Sequence, residues 1–211
     1  MLMSSRLSCR RRGEVSAGGT VRAESTPEVE VGARMAAVRR RRPWTRAATV
    51  GTGAHILYEL AAGVGMPLAA RIGPGPAAAF WSAGGVAAFH AAGRRPRSGD
   101  TAFAVLDGAF LAAVIAHFTG WPRTEVAGLP WLTECEGLDG RLMPPYNLIL
   151  YASAIAAVGG LVENRRGAVW GAAVPVVLVP WLVAEQKREF TLLCAEAGQH
   201  PAWWNRRLGR R

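Results

Sequence analysis

The chain has 211 residues, is 50% hydrophobic and carries a formal net charge of +10. The excess charge is confined to the two ends: residues 1–47 hold eleven Arg against four Glu, residues 185–211 hold six Lys and Arg against three Glu, and the stretch between them balances eight Arg with eight acids. A long, sparsely charged apolar middle argues against a soluble domain and against the nucleic-acid binding that a pI near 11.0 would otherwise imply.

The expected fold is all-α, a polytopic membrane bundle of about five transmembrane helices over residues 47–184. An Arg-rich N-terminal tail (1–46) precedes it and a basic amphipathic C-terminal tail (185–211) follows. The N-terminal tail, with its clusters Arg10-Arg11-Arg12 and Arg39 to Arg42, is too polar to offset its ordering entropy and is expected to be disordered. It has no apolar run of signal-peptide type, and Met35 is an alternative start. Cys9, Cys135 and Cys194 form neither a disulfide framework nor a zinc set.

Five apolar segments follow in order: Ala48–Ala70, Pro76–Ala92, Thr101–Gly120, Tyr146–Val162 and Gly167–Ala184, the last with Pro175 and Pro180 inside it. The first, at about 1.5 Å per residue, is long enough to cross a bilayer. Arg39–Arg46, Arg94, Arg95, Arg97, Arg165 and Arg166 fall on one side of these segments; the other side carries the short Ile72–Gly75 turn and the acid-richer 121–145 loop. Positive-inside reasoning gives a multi-pass protein of the cell membrane with a cytoplasmic N-terminus. Five spans then put the C-tail outside, against the bias of Arg206, Arg207, Arg210 and Arg211, and a re-entrant Pro122–Leu132 would not alter that parity. Trp203-Trp204 in the tail reads as an interface anchor.

Glu59 falls at the centre of the first expected span. A carboxylate there is expensive, so it faces the bundle interior and has a task. At about 100° per residue, His55, Glu59, Ala62 and Met66 share one face, with Leu57, Leu60, Val64 and Leu68 opposite. The plainer reading is an i,i+4 pair between His55 and Glu59. Asp107 is the second intramembrane acid. Phe103, Phe110, Val114, Phe118 and Trp121 lie on its face, and Ala109, Ala112, Ala113 and Ala116 lie opposite, as close helix packing requires. Its plainer reading is a Phe stripe facing lipid and an acid that snorkels or caps. A desolvated carboxyl favours its protonated form and is then a proton donor, and nearby aromatic faces stabilise a cation. Asn147 reads as an interhelical hydrogen-bonding residue, and Glu185 with Glu189 as a solvated helix end. His55, His90 and His117 come from three spans, but no metal-ligand motif joins them; no metal and no cofactor are expected.

The stretch His55-Ile56-Leu57-Tyr58-Glu59-Leu60 through Gly63-Val64-Gly65-Met66-Pro67, together with Asp107 and the small multi-span layout, resembles the integral-membrane terpene cyclases. More closely, it resembles the small bacterial branch that cyclises prenylated indoles or diketopiperazines. The resemblance covers roughly residues 47–190. It implies a metal-free class II cyclisation, in which an acid protonates a prenyl alkene or epoxide and the cation closes the rings. Glu59 and Asp107 would be the acids, with Tyr58, His55, Met66, Phe103, Phe110 and Trp81 around the substrate. The sequence lacks the D-D-x-x-D and D-x-D-D runs of soluble terpene cyclases, and its five segments depart from the seven spans of the fungal enzymes. The implied partners are a small hydrophobic prenylated substrate and membrane lipid, without nucleic acid. The alternative is a non-catalytic membrane scaffold or transporter accessory protein, with His55 and Glu59 as an interhelical latch. Proton-coupled transport through the same acids lacks a visible inverted repeat.

Overall fold

A computed structural model describes residues 41–210; the expected tail lies outside the described residues as far as residue 40, as does Met35. Pro43–Ala62 is α1, and proline at its first position costs no hydrogen bond because that N–H has no helical partner. A short helix α2 (Ala69–Ile72) leads into α3 (Pro74–Arg94). Then come α4 (Asp100–Gly120), α5 (Met143–Glu163) and α6 (Ala168–Gln199). The molecule is mostly helical, but the 121–145 loop departs from the all-α expectation. It forms two antiparallel hairpins, β1 (Arg123–Val126) with β2 (Leu129–Leu132) and β3 (Glu134–Cys135) with β4 (Leu138–Asp139). Both turn on two residues at positive φ, Ala127-Gly128 and Glu136-Gly137, the backbone that a tight two-residue hairpin demands. Pro122–Leu132 is thus taken up largely by the first hairpin rather than by a re-entrant helix.

Among the described residues, three helices are long and apolar enough to cross a membrane: Asp100–Gly120, Gly140–Glu163 and Arg165–Gln199. Exposed apolar side chains on α5 (Leu148, Ile155, Val162) and α6 (Val169, Val176, Val177) leave a surface that fits lipid better than water. Two segment boundaries need correction. The first helix starts before Ala48 and stops at Ala62, because Gly63 takes φ 80 and its N–H and that of Val64 close onto the Glu59 carbonyl. Glu59 therefore lies in the last turn of α1, not at the centre of a span. The last helix does not stop at Ala184. It runs unbroken past both prolines for 32 residues, about 48 Å.

α4 is the central helix. Ala104 and Gly108 meet Gly167 and Gly171 at the start of α6: a Cβ on Gly108 would stand 2.1 Å from the Gly171 carbonyl oxygen. Paired small residues at i,i+4 allow this backbone-to-backbone approach. α1 packs on α5 by the same device, through Gly51 against Ser153 and Gly159 against Trp44. α3 packs chiefly on α1.

The bundle has two polar ends. At the N-terminal end, Arg42 is buried. It donates to Asn164 Oδ1 (2.9 Å), to the carbonyls of Arg95 (2.8 Å) and Pro96 (2.7 Å), and to Asp100 (2.7 Å), and its guanidinium lies over the Phe103 ring. At the other end lie Gly63, the hairpins and the C-terminal segment. Arg207 N–H donates to the Gly63 carbonyl (3.0 Å), Arg206 to the Ala61 carbonyl (3.1 Å), and Arg207 lies 3.8 Å from Asp139. Arg206 and Arg207 thus sit at the end opposite Arg42, against the carbonyl end of α1, where cations are favoured.

Candidate functional site

The last turn of α1 carries Glu59, 1% exposed. Gly63 stops the helix four residues on, and the chain folds back so that the second hairpin covers this turn. Leu132, Cys135 and Leu138 of the hairpins are fully buried in the same apolar cluster as Ile56, Met66 and Tyr146. The Tyr58 hydroxyl ties α1 to the carbonyl of Leu142 (2.9 Å). Asn147 makes an interelement bond as expected, but to a strand: its amide accepts from Leu132 N–H and donates to Leu132 and Met143 carbonyls.

Two further helices complete the cluster. Tyr146, on the first turn of α5, donates its hydroxyl to Glu59 Oε1 at 2.5 Å. His117, from α4, places Nε2 at 3.8 Å from the same oxygen. Its Nδ1 lies 2.7 Å from the Ala113 carbonyl, which calls for a proton on Nδ1, and the Gln186 amide nitrogen lies 3.1 Å from Nδ1 and 3.4 Å from Nε2. His55 stands edge-on to both His117 and Tyr146, with ring centroids 5.3 and 6.4 Å away. Its Nδ1 is buried without a hydrogen-bond partner. One ligand-capable atom from each of His55, Glu59 and His117 lies within 4.8 Å of the others. Beyond the helices, burial, reinforced by Glu59, pushes the Glu136 carboxyl up to about 8, and burial also raises the Cys135 thiol.

An apolar groove of about 640 Å³ runs between α1 and α3, with Leu106 and Phe110 of α4 also lining it. Of the residues expected around a substrate, Met66, Trp81 and Phe110 line it. Trp81 is held there by its indole N–H on the Pro67 carbonyl (3.0 Å). Ile56 and Met66 belong both to the groove wall and to the apolar cluster around Tyr146. His55 and Tyr58 belong to the Glu59 cluster instead, and Phe103 lies buried beneath Arg42 at the opposite end.

Asp107 is not brought to Glu59. Its Oδ2 accepts from Thr45 Oγ1 (2.9 Å) and Asn164 Nδ2 (3.0 Å), inside the Arg42 network. Thr45 and Glu59 share α1 about 21 Å apart along its axis. Gly160 makes room for the Asp107 carboxyl, which a Cβ there would meet at 2.4 Å. Glu185 and Glu189 both hold Arg71, tying α2 to α6, and so are not merely a solvated helix end.

The sequence reading undervalued Tyr146, which looked like a span start, and His117, whose signal was only that it came from another span. Their approach to Glu59 depends on how three helices and a hairpin stack. Comparison with protein-family models, curated proteins and solved structures finds no match for this chain.

Proposed function

We propose that this protein is an integral-membrane terpene cyclase acting on a lipid-soluble prenylated substrate, with α1 and α3 to α6 as five spans and a cytoplasmic N-terminus. The observation that carries the reading is a deeply buried carboxyl, Glu59, hydrogen-bonded by Tyr146 and faced by His117, one layer of apolar side chains from a groove of prenyl-chain size. The prenyl tail lies along the groove between Leu57, Phe80 and Trp81, and its terminus reaches Glu59 past Met66, whose flexible thioether side chain yields readily. Protonated Glu59 gives its proton to the terminal alkene, leaving a tertiary cation. Internal double bonds attack in turn to close rings, and loss of a proton from the last cation ends the sequence, so no net proton is consumed. Tyr146 orients the carboxyl and His117 returns the proton to it. General acid catalysis of this kind needs hydrogen-bond reach to the reacting carbon, which requires the side chains between the groove and Glu59, Met66 first, to move aside. The resemblance of the α1 segment to membrane cyclases supports the same chemistry. Asp107 acts as a positioning residue for the helices and not as a second donor.

The test is turnover of farnesylated or geranylated indoles by membranes containing the protein. Glu59→Gln should reduce cyclised product by at least about a hundredfold, the usual weight of a general acid. Asp107→Asn should keep activity per folded molecule. Equal turnover by wild type and Glu59→Gln sinks the mechanism. A change of oligomeric state in Glu59→Gln, with no product from any prenyl substrate, assigns the chain to the scaffold class.

A further inference from the structure

We infer that His55, Glu59 and His117 form a binding site for one divalent transition-metal ion, with zinc the simplest probe. His55 and Glu59 stand one turn apart on α1, and α4 delivers His117 against them, so three ligand atoms gather within 4.8 Å with all three side chains buried. A metal bond is about 2.0–2.2 Å to nitrogen or carboxylate oxygen, so the ligand atoms need to close by about an ångström. Two details point to a cation. The Ala113 carbonyl accepts a hydrogen bond from His117 Nδ1, the support that metal-bound imidazoles receive, and turns Nε2 toward a Glu59 carboxyl oxygen 3.8 Å away, with the Gln186 amide nitrogen 3.4 Å from Nε2. The second detail is the buried Nδ1 of His55, which has no hydrogen-bond partner and so signals unmet bonding capacity in a ring that already faces the cluster. Two imidazoles and one carboxylate select zinc, iron or their neighbours over magnesium or calcium, which prefer oxygen donors.

The site shares Glu59 with the proposed cyclisation. Metal on Glu59 displaces the proton that starts the reaction, so occupancy by zinc switches the cyclase off. That consequence rests on the proposed function; the metal binding does not.

The experiment is titration of the full-length protein, purified in detergent, with Zn²⁺ against a chromophoric chelator and with Co²⁺ followed by its visible ligand-field bands. Wild type should bind one equivalent and gain thermal stability on adding metal. His55→Gln and His117→Gln should each weaken binding by more than about a hundredfold, because even residues that only support metal ligands contribute about 10- to 100-fold. Cys135→Ser should bind as wild type, which separates this site from thiol binding. Glu59→Gln, the most conservative change, serves as the check if a histidine variant does not fold: it too must lose the Co²⁺ bands. Wild-type protein that binds no metal, or binding unchanged in all three ligand variants, overturns the inference. An active wild-type cyclase that binds no zinc refutes the metal site alone; zinc binding without cyclisation refutes the proposed reaction alone.

Discussion

Glu136 occupies the first turn position of the second hairpin at φ 47, a conformation uncommon for a side chain larger than glycine. Glu136 is partly buried beside the cluster that covers Glu59, and burial there lifts its carboxyl to about 8 from 4.5. The fold therefore favours the protonated form. That contribution to stability is fully present below about 4.5 and is lost as pH rises through about 8. Thermal unfolding in detergent should show wild-type stability falling across this window, and Glu136→Gln should flatten the fall; an unchanged slope in the variant places the titration on another group. At this scale the sequence revealed that Glu59 sits where charge is costly, but not why. The sequence places it at mid-span facing the bundle interior, without naming the groups that meet it there. Burial comes from Tyr146, His117 and a hairpin, groups 58 to 87 positions away in the chain, whose approach no local pattern encodes. Asp107 was legible as a constrained acid, and its alternative reading as a cap came nearer to what Thr45 and Asn164 do with it.

Among the elements, the apolar segments marked where the long helices are, because hydrophobic runs and helix breakers are local signals. Their ends moved where a cap outranked hydropathy, as at Gly63, or where a helix ran on without any stop signal, as at Ala184. The face of α4 that meets α6 backbone to backbone is Ala104 and Gly108, not the expected Ala109, Ala112, Ala113 and Ala116. Gly108 lies where α4 and α6 touch backbone to backbone, so Gly108→Ala should overpack the crossing and cost about 1–3 kcal/mol, read as a drop in unfolding temperature. Gly53 presents the opposite case. It lines the groove, and a Cβ added there meets nothing within 4 Å. Gly53→Phe should leave the fold intact, helped by relief of about 1 kcal/mol of glycine penalty in a helix. The ring should fill the groove and raise KM for a prenylated indole roughly tenfold or more, equivalent to about 1.4 kcal/mol of binding. Unchanged KM would move the substrate to another surface.

For the molecule as a whole, the two polar ends bear on the parity question that the basic C-tail raised. Arg206 and Arg207 donate to carbonyls at the end of α1, and Arg207 lies 3.8 Å from Asp139, so these arginines have intramolecular partners and are a weak guide to sidedness. The Arg42 end keeps the loop arginines. Reporters fused before Pro43 and after Arg211 should therefore respond on opposite sides of the membrane, the N-terminal one in the cytoplasm; matching signals would refute the five-span arrangement. The groove adds a kinetic consequence. Its rim is made of outward-facing apolar residues, with Val50, Leu57, Phe80 and Val86 each more than half exposed. For the proposed cyclase, a substrate entering there comes sideways out of the lipid phase and not from bulk solution. The concentration that governs turnover is then a mole fraction in two dimensions: adding inert lipid at constant total substrate slows the enzyme, while diluting the whole vesicle suspension leaves the rate per vesicle unchanged.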